Sequence, residues 1–298
     1  MADQPAIRLD HLTKRYGAHR GIEDVTLDVH PGEVLGFLGP NGAGKTTAIR
    51  CLVGFLRPTS GSATVLGFDA ERQSVEVRRR VGYLPGDPSL YGSRTGHELL
   101  RIAGQARGAP VAPLAERLVS LLEAPMDRPV RKLSRGMRQK VAVVLALAHD
   151  PEVALLDEPT SGLDPLGQRA LLEFLDERAN AGRTILLSSH VLSEVEEICD
   201  RVAILREGRL TALDTVESLR GRKYREVSIA YEGEPPPLAG LDDIDVIWQH
   251  EGRMRFRVRA EPAQLLQALS HASITDVTIT EPSLEEVFLD YYRAEAKA

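Results

Sequence analysis

The sequence predicts an α/β protein built on a mixed, mostly parallel β-sheet, followed by a small α+β domain. Three observations carry that expectation. The runs "EVLGFLG", "EVALLDE" and "RTILLSS" are continuously apolar, as strands covered on both faces by helices have to be. Each leads into a segment of helical periodicity, and strand–helix alternation is the pattern of parallel α/β cores. Near Gly221 the texture shifts to short period-two runs around a proline-rich loop, "EGEPPPLAG".

The elements follow in order. "AIRLDHLTKRY", "VTLDV" and "EVLGFLG" read as strands separated by Gly, Pro and His turns. A helix is expected from about Lys45 to Leu56, then strands at "GSATVLGFD" and "VGYLP". From Ser89 to Asp150 the pattern is helical: "GHELLRIAGQA" and "LAERLVSLLE" are amphipathic, and "RQKVAVVLALAHD" is apolar enough to be buried. Beyond "EVALLDE", Asp164 and Pro165 make a helix start, a capping carboxylate followed by proline at the first helical position. That helix runs to Gly182. "RTILLSS" is then a strand, "VLSEVEEICD" a helix, and "RVAILREGRLTALD" a strand, a turn and a strand. In the last part "REVSIAY", "RMRFRVR" and "ITDVTIT" alternate as strands and "PAQLLQALSHA" is a short helix. "EPSLEEVFLDYYR" is an amphipathic helix with Leu284, Val287, Phe288 and Tyr291 on one side. The expected domains are residues 1–220, with a helical subdomain at about 89–150, and residues 221–298.

Composition narrows the function classes. With 43% hydrophobic and 27% charged residues the chain has ordinary globular usage. A net charge of −6 offers no basic excess, so nucleic acid is not an expected partner. No apolar run approaches the roughly 18–20 residues that span a bilayer. "MADQPAIRLD" lacks the basic-then-apolar pattern of a signal peptide, which predicts a cytoplasmic chain. Cys51 and Cys199, both in apolar helical settings, are expected to be buried thiols rather than a disulfide.

Chemistry enters with "GPNGAGKTT", which follows the strand "VLGFLG" directly. Gly39, Pro40, Asn41, Gly42, Ala43, Gly44, Lys45, Thr46 and Thr47 match G-x-x-x-x-G-K-[ST] in the strand–loop–helix context that motif needs. Glycines let the loop turn its N–H groups around phosphate oxygens. Lys45 would reach the β- and γ-phosphates, and the Thr46 hydroxyl would ligate Mg²⁺. Asp157 ends the buried strand "VALLD", where a carboxylate has no structural reason to sit; it is expected to hold Mg²⁺ through water. Glu158 follows it and is placed to orient or deprotonate an attacking water. His190 ends the next buried strand, so it emerges at the same carboxyl edge, where such sheets bind ligands. Elsewhere, "LSRGMRQK" sets Ser134 as a helix cap with Gly136 behind it, a small anion-friendly tip on a hydrophobic helix.

The ordered set "GPNGAGKTT", "LSRGMRQK", "LLDEP", "SGLD" and "SSH" resembles the nucleotide-binding subunit of ABC transporters, over about residues 6–220. The resemblance implies an ATPase using ATP and Mg²⁺. It also implies two copies packed head to tail, as a homodimer or a heterodimer with a paralogue, docked from the cytoplasm on a separate transmembrane permease. In that family the signature helix of one copy closes over the ATP of the other. Ser134, Arg135, Gly136 and Met137 then form the cross-dimer tip, and Asp164 in "SGLD" contacts the partner. Tyr16 in "KRYG" matches the aromatic on which adenine stacks. The chain departs from the family's pattern at Arg135, in place of a glycine, and at Met137, in place of a glutamine. Gly86 in "VGYLPGDPSLY" stands where the family usually has a glutamine that touches Mg²⁺, and the neighbouring Asp87 is a candidate substitute. The segment from Ser89 to Ala124 would face the permease, with Tyr91 as a contact. "EPSLEEVFLDYYR" resembles the closing helix of subunits that serve drug, antibiotic or polysaccharide exporters. Two rival readings stand beside this one: a soluble ATPase of the same type acting on ribosomes or DNA, and a resistance or regulatory factor that transports nothing.

Overall fold

The computed structural model describes residues 4–17, 19–108, 113–221, 225–238, 241, 243–258, 260 and 262–280. The chain forms two compact units, Met1–Val216 and Glu217–Ala298. In the first unit the elements run β1 (Ile7–Tyr16), β2 (His19–Val29), β3 (Val34–Leu38), α1 (Lys45–Leu52), β4 (Ser60–Val65), β5 (Phe68–Asp69), α2 (Ser74–Arg80) and β6 (Val81–Leu84). They continue with α3 (Gly96–Arg107), α4 (Pro113–Leu122), α5 (Arg135–Leu147), β7 (Val153–Asp157), α6 (Pro165–Asn180), β8 (Thr184–Ser189), α7 (Leu192–Ile198), β9 (Arg201–Arg206) and β10 (Arg209–Thr215).

These strands make two sheets. An antiparallel sheet has the order β2-β1-β4-β5, and a second has the order β10-β9-β3-β8-β7-β6. In the second, β9, β3, β8, β7 and β6 are parallel and β10 pairs antiparallel with β9. Every residue of β3, β7 and β8 is buried, which is why those runs carry no alternation. Helix α1 shares one core with both sheets: Ile49 and Leu52 pack with Leu9, Ile22 and Val25 and with Leu35, Phe37 and Leu155, all fully buried. Each such side chain contributes about 1.5–3 kcal/mol by leaving water.

Helix α1 ends at Leu52 and not at Leu56. Gly54 takes φ 69, its N–H bonds the Cys51 carbonyl at 3.0 Å, and the Phe55 N–H bonds the Arg50 carbonyl at 2.9 Å. This is the pair of bonds that closes a helix at a left-handed glycine; the apolar residues beyond it only prolong the periodicity. The helical subdomain starts its first helix at Gly96, where Thr95 and Glu98 bond each other's backbone N–H groups in a capping box. Helix α2 is an element that periodicity did not indicate. Both cysteines are buried free thiols, and burial pushes Cys51 up to about 11.

Helix α8 (Val216–Gly221) starts at the boundary, and the second unit continues with β11 (Arg225–Glu232), β12 (Asp245–His250), β13 (Arg253–Val258), α9 (Pro262–Leu269) and β14 (Ser273–Thr280). Its sheet is antiparallel in the order β12-β13-β11-β14, over a core that includes Val227, Ile229, Phe256, Val258 and Leu265. Strand β12 is a further element the sequence did not suggest. The amphipathic segment with Leu284, Val287, Phe288 and Tyr291 lies outside the described residues. No helix among those described is long and apolar enough to cross a membrane.

Candidate nucleotide site

Three motifs far apart in the chain meet because their strands are neighbours. β8 lies between β3 and β7, all parallel, with Leu38 level with Ser189 and Asp157 level with Ser188. The chain therefore leaves these strands at one edge: into the glycine loop after β3, into His190 after β8, and into Glu158 after β7.

The loop delivers α1 with its N-terminus open. Gly44 has φ 108, and a Cβ there would lie 2.6 Å from Ile22 Cγ2 and 2.8 Å from the Gly21 carbonyl oxygen. Only glycine permits that approach. No side chain caps α1, so its first N–H groups have no intrahelical partner and suit an anion. Lys45 is 5% exposed, and its Nζ donates to the carbonyls of Gly39 at 2.5 Å and Pro40 at 3.2 Å. Burial pushes its ammonium below the usual lysine range, against the pull of Glu158 and Asp157. A desolvated cation held by neutral carbonyls gains when an anion is brought beside it.

Asp157 is 2% exposed and has both oxygens engaged. Thr46 Oγ1 donates to Oδ2 at 2.7 Å, and Ser188 Oγ donates to Oδ1 at 2.6 Å. Ser188 Oγ also accepts the Glu158 N–H at 3.0 Å, so one serine orients both acidic residues. The Thr46 hydroxyl and the Asp157 carboxylate are the hard oxygen donors that Mg²⁺ takes. Glu158 itself adopts φ 49, a left-handed conformation uncommon outside glycine that costs about 1–3 kcal/mol and recurs at functional sites. His190 Nδ1 lies 3.3 Å from Glu158 Oε1.

A cavity of about 210 Å³ opens over this edge. Asn41, Gly42, Ala43, Gly44, Lys45, Thr46 and Thr47 line it, with Glu158, Tyr16, Arg20 and Gly21. Tyr16 is 45% exposed, with its hydroxyl 3.4 Å from Thr47 Oγ1 and its ring against Gly21, where a Cβ would meet Cε2 at 2.8 Å. An exposed aromatic face at the cavity rim can stack on a flat ring.

The "LSRGMRQK" residues do not join this constellation: none of Ser134, Arg135, Gly136 and Met137 lines the cavity. Ser134 caps α5, accepting the Met137 N–H at 3.2 Å, and it is exposed together with Arg135. Gly136 is pressed against the loop after β7, where a Cβ would lie 2.3 Å from the Gly162 carbonyl oxygen. Asp164 caps α6, accepting the Gly167 N–H at 2.9 Å, and its other oxygen takes Lys140 Nζ at 2.9 Å. Those two partners hold its carboxyl below the usual range. A Cβ on Gly86 would stand 3.3 Å from Asp157 Oδ2. A side chain at that position would meet the Asp157 carboxylate, and this chain has none. Asp87 is exposed, and among the described residues no group of three or more His, Cys, Asp or Glu side chains is gathered to hold a metal.

Four participants carry no signal of their role in the sequence. Ser188 stood inside "LLSSH", but which serine faces Asp157 depends on the register between β7 and β8. Arg20 and Gly21 reach the cavity only through the β1–β2 hairpin. Gln139, inside "LSRGMRQK", is 3% exposed and bonds the carbonyls after β7.

Comparison with known proteins agrees with this geometry. The family model described as "ABC transporter" matches residues 22–161, and the "ATP-binding protein DrrA1-3-like, C-terminal domain" model matches residues 215–292. The Nod factor export ATP-binding protein I of Cupriavidus metallidurans is 36% identical, over 95% of this chain and 96% of its own length. The bacitracin transport ATP-binding protein BcrA of Bacillus licheniformis is 34% identical, also over 95% of this chain and 96% of its own. A solved ATP-binding subunit of an ABC transporter superposes with a TM-score of 0.66 at 36% identity, covering 72% of this chain and 92% of that one. Identity at this level along nearly the whole chain, with the glycine loop and the acidic pair at one sheet edge, leads to one conclusion: the chain belongs to the ATP-binding subunits of ABC transporters, and it is an ATPase that supplies power for transport.

Proposed function

We propose that two copies of this chain, or one copy and a paralogue, close head to tail around ATP·Mg²⁺ and drive a separate permease that exports a drug, an antibiotic or another hydrophobic compound. The observation that carries this reading is the missing wall of the cavity: the capped, anion-friendly tip at Ser134 lies outside the cavity of its own copy. A triphosphate seated on Lys45 can meet such a tip only from another copy. On this reading Gly39 to Thr47 cradle the phosphates and Tyr16 stacks on adenine. Thr46, with Asp157 through water, holds Mg²⁺, which supplies charge neutralisation for the β- and γ-phosphates. Glu158 accepts a proton from the water whose oxygen attacks the γ-phosphorus as the bond to the bridging oxygen breaks. His190 hydrogen-bonds the γ-phosphate and the water. Ser134, Arg135, Gly136 and Met137 of one copy, with Asp164, complete the site of the other. ATP binding closes the pair and hydrolysis reopens it, a ligand-biased two-state element.

The relatives' names, for a Nod factor exporter and a bacitracin transporter, support the export role, as does the match of the C-terminal segment. Docking on the permease would hold the chain at the inner face of the membrane, with Tyr91, 76% exposed, as a contact. Residues 1–220 act as the ATPase domain and 221–298 as the accessory domain.

Two experiments test this. Turnover per chain should rise with protein concentration as ATP-bound dimers form, followed by sedimentation at each concentration; full turnover by a chain shown to be monomeric overturns the shared site. Asp87→Ala is expected to leave Mg²⁺-dependent turnover within about twofold of wild type, the scale of an exposed substitution. A clear fall would assign Asp87 to the metal in place of the glutamine missing at Gly86.

A further inference from the structure

Gln139 is a buried polar side chain for which the mechanism above has no use. It lies on α5, one turn into the helix that Ser134 caps, and is 3% exposed. Its Nε2 donates to the Pro159 carbonyl at 3.0 Å and reaches the Glu158 carbonyl at 3.4 Å. Both neighbours are acceptors, so the amide must present its nitrogen and cannot be turned around.

Those carbonyls belong to the turn that carries Glu158 at φ 49. A left-handed residue swings its carbonyl out of the sheet ladder, and a buried carbonyl needs a donor. The Glu158 carbonyl accepts the Ser161 N–H at 3.1 Å within the turn; Gln139 adds a second donor to it from outside and supplies one to the Pro159 carbonyl. The same helix face contributes two further contacts, Gly136 against Gly162 and Lys140 on Asp164. These positions, i, i+3 and i+4, share one side of a helix. The start of α5 thus grips the loop from Glu158 to Asp164 at three points, and Gln139 is the one that touches the Glu158 peptide.

We propose that Gln139 is a positioning residue for ATP hydrolysis: by donating to the Pro159 and Glu158 carbonyls it holds the left-handed turn that aims the Glu158 carboxylate at the attacking water. The proposal rests on Glu158 acting as described under Proposed function.

The test compares Gln139→Met and Gln139→Glu in the full chain. Steady-state ATP turnover is measured across pH, equilibrium binding with a fluorescent ATP analogue, and Tm by thermal unfolding. Methionine keeps the buried length and removes the donor. Its kcat should fall about tenfold, the rate equivalent of one net hydrogen bond, with nucleotide affinity unchanged and Tm lowered by only the few degrees that an unpaired carbonyl costs. Glutamate gives a sharper signature. Ionised, it faces two carbonyls and repels them; protonated, it donates one hydrogen bond. Burial against carbonyls raises its pKa, so its kcat relative to wild type should climb as pH falls from about 8.5 to about 6. A purely structural role would lower Tm while leaving the kcat of the folded protein at the wild-type value, with no such pH dependence.

Wild-type kcat in Gln139→Met, or a flat pH ratio in Gln139→Glu, overturns the proposal; should the methionine variant not fold, the pH ratio decides alone. Glu158→Gln run alongside separates the two readings. Full turnover in that variant sinks the assignment of Glu158, whereas lost turnover beside a normal Gln139→Met sinks only the role of Gln139.

Discussion

Glu158→Gln is expected to reduce ATP turnover by about 10²–10⁴-fold, the usual contribution of a positioned general base, or about 3–5 kcal/mol of barrier. The amide matches the carboxylate in shape, so the turn after β7, held by Ser188 and Gln139, should keep its geometry. His190, 3.3 Å away, keeps a hydrogen-bond partner. On the proposed reading phosphate binding rests on Lys45 and the loop amides, and the substitution leaves the Lys45 hydrogen bond to Gly39 in place. The variant should therefore bind ATP, close, and stay closed. With ATP and Mg²⁺ it should run as a dimer in size-exclusion chromatography, and with ADP as a monomer. Rapid hydrolysis in this variant would remove Glu158 from the proposed chemistry. Slow hydrolysis without dimer accumulation would leave the carboxylate its role and discard the shared chamber.

Ser134→Arg is expected to separate binding from closure. Ser134 is exposed at the tip of α5 and lines no part of its own copy's cavity. Nucleotide affinity of the monomer should stay at the wild-type value, measured by equilibrium titration at low protein concentration. Dimer formation and turnover should be lost if the proposed head-to-tail arrangement holds, because a long side chain would fill the space proposed for the partner's γ-phosphate. Ser134→Ala controls for the cap: losing the bond to the Met137 N–H costs about 1 kcal/mol of helix stability and adds no bulk. The arginine variant should be far worse in dimerisation than the alanine variant. If Ser134→Arg instead weakens binding to the monomer, the tip belongs to its own copy's site and the head-to-tail arrangement is wrong.

How legible the site was depended on how local its physics is. The glycine loop from Gly39 to Thr47 is legible as a candidate directly, because it is one continuous stretch whose glycines and lysine lie within a few residues of each other. The β3, β7 and β8 strands could be read because burial on both faces leaves an uninterrupted apolar run. Strand β12 could not be: all six of its residues are exposed, so "DVIWQH" carries no period-two signal. The end of α1 was misplaced because apolar residues continue past the glycine that closes it. The tasks of Ser188 and Gln139 were invisible, since each bonds groups about twenty to thirty residues away, at distances that only strand register and helix packing create.

From the residues alone came the candidates: a glycine loop suited to phosphate, a hydroxyl and a carboxylate suited to a metal, an acid beside them, a histidine, and a helix tip with a capping serine. Each is written in a short segment, where backbone conformation and side-chain type determine what can be bound. Folding alone decided which of these meet. Parallel pairing of β3, β8 and β7 brings Lys45, His190, Asp157 and Glu158 to one edge. The same packing leaves Ser134 out of the cavity at that edge, and sets Gln139 against the left-handed turn of Glu158. Convergence of distant segments is a property of the packed core, because burial of β3, β7, β8 and α1 in a shared apolar interior leaves the chain a single way to bring their ends together.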